Sequence, residues 1–424
     1  MSDTTLSRRS FLQNVAVAGA ATQVFSILPA SGQAAAGRTI KVGLIGCGGR
    51  GTGALENHKN ACEHLGLKMQ LVATADAFHH KAKDTAKKYG LDEAKAFGGY
   101  DGYKQVCASD ADVIIMATSP NFRPVHFAAA IAAGKHVFME KPVAVDPVGA
   151  RSIIATGLEA KAKKLSVVAG TQRRHQKSYL QQYAALQQGA LGKILGGAVY
   201  WCGGALWYKN RDKDEADASY MVRNWVSFME MSGDHIVEQH VHNIDIANWF
   251  IGRLPVAAIG FGGRARRVTG NQFDFFSIDF DYGDGLHIHS MCRQINGTYG
   301  RVSEFFNCTD GNLCGGGRVT GGKKVDVPNF EEFGGPYVQE HVDLLNSILK
   351  EQALNEAENV ATSTMCAIAG RIAAYTGDVV RISDLLTNKD SAHYNLTVSP
   401  SAADFEAGTV KAPADEKAPA PGKG

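Results

Sequence analysis

Two stretches of this 424-residue chain concentrate side chains able to move a proton. The first is Phe138-Met139-Glu140-Lys141-Pro142, where Lys141 closes an apolar run. A lone lysine there most often caps a solvated strand end; partly buried beside another positive charge, its ammonium instead loses pKa and can take or give a proton. The second is Gly233-Asp234-His235-Ile236-Val237-Glu238-Gln239-His240-Val241-His242-Asn243-Ile244-Asp245. On one helix Glu238, His242 and Asp245 stand at i, i+4 and i+7 and share a face, with His235 near it and His240 pointing elsewhere. A histidine flanked by carboxylates is oriented by them and can act as general acid or base. The same cluster also suits a buried structural network, or a metal site of His235, Glu238, His242 and Asp245. Its spacing matches no zinc motif, and no metal is expected.

A Gly-rich turn supplies the second kind of chemistry. The apolar run Ile40 to Ile45 reads as a buried strand, and Gly46-Cys47-Gly48-Gly49-Arg50-Gly51 follows it and opens a helix. Gly46-x-Gly48-x-x-Gly51 in that context is the dinucleotide fingerprint. The first glycine permits the turn, the second lets backbone approach a pyrophosphate, and the third lets helix and strand pack closely. The phosphates then sit on free N–H groups at the helix N-terminus. A second strand, Gln70 to Ala75, ends at Asp76. An acid at that point binds the adenosine ribose hydroxyls and repels a 2′-phosphate, so the expected cofactor is NAD rather than NADP.

These residues need a scaffold, and the pattern around them provides one. Strands at Ile40–Ile45, Gln70–Ala75, Ala111–Ala117, His136–Met139 and Leu165–Ala169 alternate with helices at Lys81–Tyr89, Pro124–Ala133 and Pro147–Ala162. Alternation of this kind predicts an α/β unit with a parallel, doubly wound sheet over residues 37–170. Beyond Gly170 the strands Ile194–Tyr200, Val256–Gly262, Phe273–Asp281, Leu286–Cys292 and Arg301–Asn307 follow one another without intervening helices. They predict a second domain over residues 171–395 with a largely antiparallel sheet. Helices at about Tyr179–Gln188, His235–Phe250, Tyr337–Leu354 and Ala361–Thr376 flank it.

The two ends read differently. Ser7-Arg8-Arg9-Ser10-Phe11-Leu12 is a twin-arginine pattern, followed by the weakly apolar stretch Val15–Leu28 and small residues at Ala30, Ala34, Ala35 and Ala36. Residues 1–36 are therefore expected to be a signal peptide for export of the folded protein to the periplasm. The stretch is too short and Ala-rich for stable membrane insertion. Residues 396–424, rich in Ala, Pro, Lys and Gly, are expected to be a disordered tail. Net charge is +2 with dispersed basic residues, which argues against a nucleic-acid partner. The eight cysteines form no CxxC pair and read as small core residues rather than a disulfide framework.

The Gly-rich turn, Asp76, Thr118-Ser119-Pro120 with His126, Glu140-Lys141-Pro142 and the Glu238…His242…Asp245 series together resemble the Gfo/Idh/MocA oxidoreductase family. The likeness runs from about Arg38 to Leu386 and includes Pro336-Tyr337 and Ala373-Ala374-Tyr375-Thr376-Gly377. It implies a Rossmann domain followed by an α/β domain whose open, mostly antiparallel sheet mediates homodimers or homotetramers. The family's catalytic lysine falls on Lys141. Its Asp-x-x-x-His pair falls on Glu238 and His242, with the following acid on Asp245. Glutamate in place of aspartate is a departure that lengthens the carboxylate by one methylene.

The implied cofactor contacts are Gly46, Gly48, Gly49, Arg50, Gly51, Asp76, Thr118, Ser119, Asn121, His126, Glu140, Lys141 and Gln172. The expected substrate contacts are Arg174, His175, Arg223, Trp225 and His242, with Trp201 and Trp207 as further aromatic faces for a sugar. The implied activity is NAD-dependent oxidation of a secondary hydroxyl on a sugar, glycoside or polyol, with tightly held cofactor. Redox-neutral hydrolysis of a glycoside by transient oxidation and elimination is the first alternative. A cofactor-bound, non-catalytic sugar-binding protein is the second.

Overall fold

The computed structural model describes residues 37–414, so the twin-arginine pattern and residues 415–424 lie outside the described residues. Six parallel strands form the first sheet: β1 (Thr39–Ile45), β2 (Lys68–Asp76), β3 (Ala96–Gly98), β4 (Val113–Met116), β5 (His136–Met139) and β6 (Val167–Ala169). Their spatial order is β3-β2-β1-β4-β5-β6. All four residues of β4, Val-Ile-Ile-Met, are buried. Such a strand is stable only where helices cover both faces of the sheet. The strand order reverses between β1 and β4, which opens a crevice at their carboxyl ends, beside Gly46 and Ala117.

One covering helix comes from far along the chain. Helix Pro336–Leu349 brings Val338, Val342, Leu344 and Leu345 into the same core as Leu44 and Leu55, beside helix Gly49–His64. Ala357, Val360 and Ala361 complete the core on the other side, with Ile45, Val137 and Ile153. The parallel unit expected over residues 37–170 therefore recruits residues 338–361. Local periodicity shows that a helix is amphipathic but not which sheet its apolar stripe covers.

The second sheet has eight strands in the order β13-β12-β11-β7-β10-β9-β8-β14. They are β7 (Ile194–Gly203), β8 (Ala257–Gly263), β9 (Phe275–Asp281), β10 (His287–Gln294), β11 (Arg301–Cys308), β12 (Gly311–Cys314), β13 (Val319–Gly321) and β14 (Val380–Arg381). The β7–β10 pair is parallel and the other pairs are antiparallel, so the sheet is mixed and mostly antiparallel, as expected. Burial alternates along β9, the signature of a sheet packed on one face only. Helices Val241–Ile251 and Ala357–Thr376 fill that face, while Leu195, Ile259, Phe261 and Val302 remain exposed. Strands β3, β12, β13 and β14 span two to four residues, too few to show a period in the sequence.

The tail departs from its expectation. Residues 396–414 are structured, and helix Ala402–Ala407 opens with a capping box between Ser401 and Asp404. Phe405 is 1% exposed and Val410 is also buried. Two apolar anchors outweigh a composition that reads as disorder. All eight cysteines are free thiols, and seven of them are buried. No helix among the described residues is long and apolar enough to cross a membrane.

Candidate active site

The crevice between β1 and β4 carries the nucleotide-binding features. Gly46 has φ +95°, a region that glycine adopts without strain, and a Cβ there would lie 2.7 Å from Thr118 N. A Cβ at Gly51 would lie 1.8 Å from the Gly46 carbonyl oxygen, so only glycine lets helix Gly49–His64 approach β1 this closely. Around Gly48 and Gly49 the space is open. No side chain caps the helix, so its first N–H groups are free to bind phosphate.

Asp76 closes β2, and its carboxylate is fixed by two N–H donors, from Cys47 at 2.7 Å and Phe78 at 2.9 Å. It lines a pocket together with Gly46, Gly48, Thr118, Ser119 and His126. Burial, and then the Arg123 charge, push His126 down to about 3, so it is a neutral wall residue. Its Nδ1 lies 3.2 Å from Thr118 Oγ1. Asn121 stands one step behind the wall, accepting the Ser119 hydroxyl at 2.7 Å. Open glycines, unspent helix N–H groups and a fixed carboxylate together fit a dinucleotide.

The proton-moving residues meet at the carboxyl ends of β5 and β6. Lys141 Nζ donates to the Glu238 main-chain carbonyl at 2.5 Å and lies 3.3 Å from Glu238 Oε1. The expected continuous helix over His235–Phe250 is broken, and this contact depends on the break. One helix covers His235–Glu238 and the next Val241–Ile251. The His242 N–H turns to Gln239 O at 3.4 Å, and the His240 N–H reaches back to His235 O. Glu238 O is thereby released from the bond it would accept in a regular helix, and Lys141 takes it. The short first helix is opened by Asp234, at φ +76°, which accepts from the His235 N–H at 2.6 Å and from the Tyr375 hydroxyl at 2.7 Å. At the break itself buried His240 bonds Ser290 at 2.7 Å.

His242 is buried and stacked on Trp201, with ring centroids 5.6 Å apart. Burial, followed by the charges of Lys141, Arg173 and Arg50, holds its imidazole well below the usual 6.5. It is therefore neutral near pH 7 and able to accept a proton. Glu238 Oε2, next to the Lys141 contact, and Gln172 Oε1 and Thr171 Oγ1, at the turn after β6, are buried and have no partner in the protein. Unspent acceptors at such a place are capacity for ligand hydroxyls.

Several expected roles change. Asp245 does not orient His242. Its two oxygens bind Arg174 at 2.8 Å each, and Oδ1 also accepts from Ser363 at 2.7 Å. That bidentate pair is buried, so Arg174 and Asp245 hold the interior and do not face a ligand. His175 is fully buried between Asp343 at 2.6 Å and Glu356 at 3.2 Å, which raises its pKa well above 6.5. Arg223 pairs with Asp212 and Glu215. Trp225 lies on the wall of the nucleotide pocket rather than beside His242. The Arg50 guanidinium is engaged by Glu140 and Glu340, so its free contribution to a dinucleotide is its backbone N–H. Glu140 is admitted by Gly170, where a Cβ would lie 2.5 Å from its Oε2. Gln172 donates to the Tyr337 hydroxyl at 3.3 Å.

The sequence also undersold Arg173. In the short 3-10 turn Gln172–His175 it, rather than Arg174, stands over Trp201 at 5.8 Å, anchored by Glu304. Nothing local distinguishes three adjacent basic residues; the turn's register does. Among the described residues no group of three His, Cys, Asp or Glu is placed to hold a metal ion.

Residues 40–169 match the profile of the Gfo/Idh/MocA family, described as an oxidoreductase family with an NAD-binding Rossmann fold. Inositol 2-dehydrogenase of Burkholderia cenocepacia (strain HI2424) is 28% identical over 254 residues, which are 59% of this chain and 66% of that protein. The matched stretch thus leaves about a third of the relative's length uncovered. Scyllo-inositol dehydrogenase from Lactobacillus casei, solved with NAD(H) and scyllo-inositol, superimposes with a TM-score of 0.62 at 20% identity, covering 82% of this chain and 100% of that one. Levoglucosan dehydrogenase, solved with NADH and levoglucosan, gives a TM-score of 0.63 at 15% identity, covering 81% and 100%. These structures share the two-sheet architecture.

Proposed function

From an NAD-binding Rossmann fold of the Gfo/Idh/MocA oxidoreductase family over residues 40–169, we propose that the chain is an exported NAD-dependent dehydrogenase. Its substrate is a ring carrying several hydroxyls, of the sugar, glycoside or polyol class, and it oxidises one secondary hydroxyl to a ketone. The observation that carries this reading is the meeting of Lys141, Glu238 and neutral His242 at the strand ends beside the nucleotide crevice. Relatives named for dehydrogenation of inositol and levoglucosan support the substrate class.

NAD, held by Gly46–Gly51 and Asp76, supplies the hydride acceptor when bound. His242 takes the hydroxyl proton, because burial and nearby cations keep it neutral. Lys141, tied to Glu238, presents an ammonium to the oxygen as charge develops on it. Glu238 Oε2 and Gln172 Oε1 accept from neighbouring ring hydroxyls. The Trp201 face, braced by Arg173 and His242, packs against ring C–H groups.

Export rests on the twin-arginine pattern at Ser7-Arg8-Arg9, and self-association on the exposed apolar face around Leu195, Ile259 and Phe261. The test is the purified protein with NAD and a panel of inositols, anhydrosugars and glycosides, followed by NADH absorbance and identification of the keto product. Release of an aglycone without NADH would replace dehydrogenation with redox-neutral hydrolysis. Sugar binding with no turnover across the panel would remove the enzyme reading altogether.

A further inference from the structure

A small satellite core lies apart from the cores of the two sheets and roofs one end of the nucleotide pocket. It joins Phe122 to Met221, Phe228, Phe405 and Val410. Phe122 and Tyr100 line the pocket on the Asp76 side, where an adenosine ribose belongs. The Phe405 ring stands 4.8 Å from Phe122 and 5.3 Å from Tyr100, so the tail packs directly behind the pocket wall.

Val222 and Trp225 also line the pocket and pack against the same satellite core. They come from the excursion after β7, on helix Asp217–Arg223 and the turn Trp225–Ser227. Trp207 braces Trp225 edge-to-face at 5.9 Å. The tail ties the excursion to the parallel unit. Glu406 pairs with Lys104 of the parallel unit at 3.0 Å, and Lys411 reaches Asp217 of the excursion at 4.0 Å. Three stretches remote in sequence thus close over a pocket that the parallel unit alone would leave open.

We propose that residues 401–414 are a strap that locks Val222 and Trp225 over the adenosine half of bound NAD, so that the dinucleotide leaves only when this roof lifts. The inference rests on the NAD reading above and adds to it where retention comes from. A chain that travels with its cofactor to a compartment poor in free dinucleotide gains from such a lock. Binding linkage is reciprocal, so a strap that holds the nucleotide is itself steadied by it.

The experiment measures NADH dissociation by displacement with excess NAD, in the full-length protein and five variants. Phe405→Ala and Trp225→Ala are expected to release NADH at least tenfold faster, and Phe405→Leu to recover most of the retention. Hydrogen exchange in residues 401–414 is expected to slow when NADH is added. Because Phe405→Ala removes a core ring, the charge pair gives a second route. Lys104→Glu should speed release two- to fivefold, and Lys104→Glu with Glu406→Lys should restore it. Wild-type protein that binds no NAD(H) would overturn the cofactor reading itself. Wild-type protein that holds NADH, with rates within twofold in Phe405→Ala and Lys104→Glu or with no exchange change in the strap, would overturn the strap alone.

Discussion

Lys141 Nζ and the main-chain oxygen of Glu238 are 2.5 Å apart, and this contact joins the end of β5 to the break between two helices of the second domain. The carbonyl is available only because the helix is interrupted at Gln239, which sends the His242 N–H elsewhere. A strand-end cation and a freed helix carbonyl thus tie the Lys141 end of β5 to the turn that leads into His242.

The two halves of that contact separate by mutation. Lys141→Ala removes the ammonium and is expected to lower kcat by about two orders of magnitude or more. Glu238→Gln keeps the main-chain oxygen but loses the weaker side-chain pair and one carboxylate acceptor for ring hydroxyls, so its loss should be about tenfold. Steady-state NADH formation on the best substrate ranks them. A Glu238→Gln defect as deep as that of Lys141→Ala would move the dominant role to the carboxylate.

His242 fixes the pH behaviour. Its folded-state pKa lies well below 6.5, so the base is already deprotonated across the neutral range. The kcat/KM profile of wild-type enzyme should therefore show no acid limb near 6.5 arising from this residue. His242→Ala should lose about 10²–10⁴ in kcat at every pH. An inflection near 6.5 that disappears in His242→Ala would show the imidazole to be unshifted.

Asp245 and Arg174 are expected to behave as interior residues. Asp245→Asn breaks a buried bidentate pair and leaves Arg174 short of its counter-charge, which should cost about 3–5 kcal/mol of stability. The KM for substrate should stay close to wild type at temperatures where the variant is folded. Chemical denaturation, together with kinetics at low temperature, reads both quantities.

At the nucleotide end, Asp76→Ala removes the carboxylate held by the Cys47 and Phe78 N–H groups. NAD affinity should fall and discrimination against NADP should relax. Gly51→Ala places a Cβ 1.8 Å from Gly46 O, so the turn must shift and nucleotide binding should be lost. Isothermal titration with NAD and NADP measures both. NADP excluded as strongly by Asp76→Ala as by wild type would assign the selectivity to another residue.

Acid should weaken the interface between helices Gly49–His64 and Pro336–Leu349. His58 faces His341 there, with Nδ1 atoms 3.2 Å apart, and burial pushes His58 from 6.5 down to about 4. The unfolded chain binds the extra proton first. The contribution is thus complete above about 6.5 and is lost as pH falls toward 4, at about 1.4 kcal/mol per pH unit. Urea unfolding at several pH values should give a steeper acid loss for wild type than for His58→Asn. Equal slopes would place the acid sensitivity elsewhere.

Unlike the roles proposed for Lys141 and His242, which rest on the family resemblance, the Gly46–Gly51 turn, Asp76 and the order of strands and helices around them were legible in the sequence alone. Each is a local matter: a glycine demanded by backbone geometry, an acid closing a strand, a period of apolar residues. The tertiary structure decided which of several similar residues does what. It turned Arg173 rather than Arg174 toward Trp201, buried Asp245 and His175 in ion pairs, and moved Trp225 to the nucleotide side. It also folded down a tail that composition reads as disorder, because Phe405 finds Phe122, some 280 residues away in the chain. Sequence spacing fixes which neighbours share a helix face only while the helix is continuous. At Gln239 it is not, and the partner that Lys141 finds there is a product of packing.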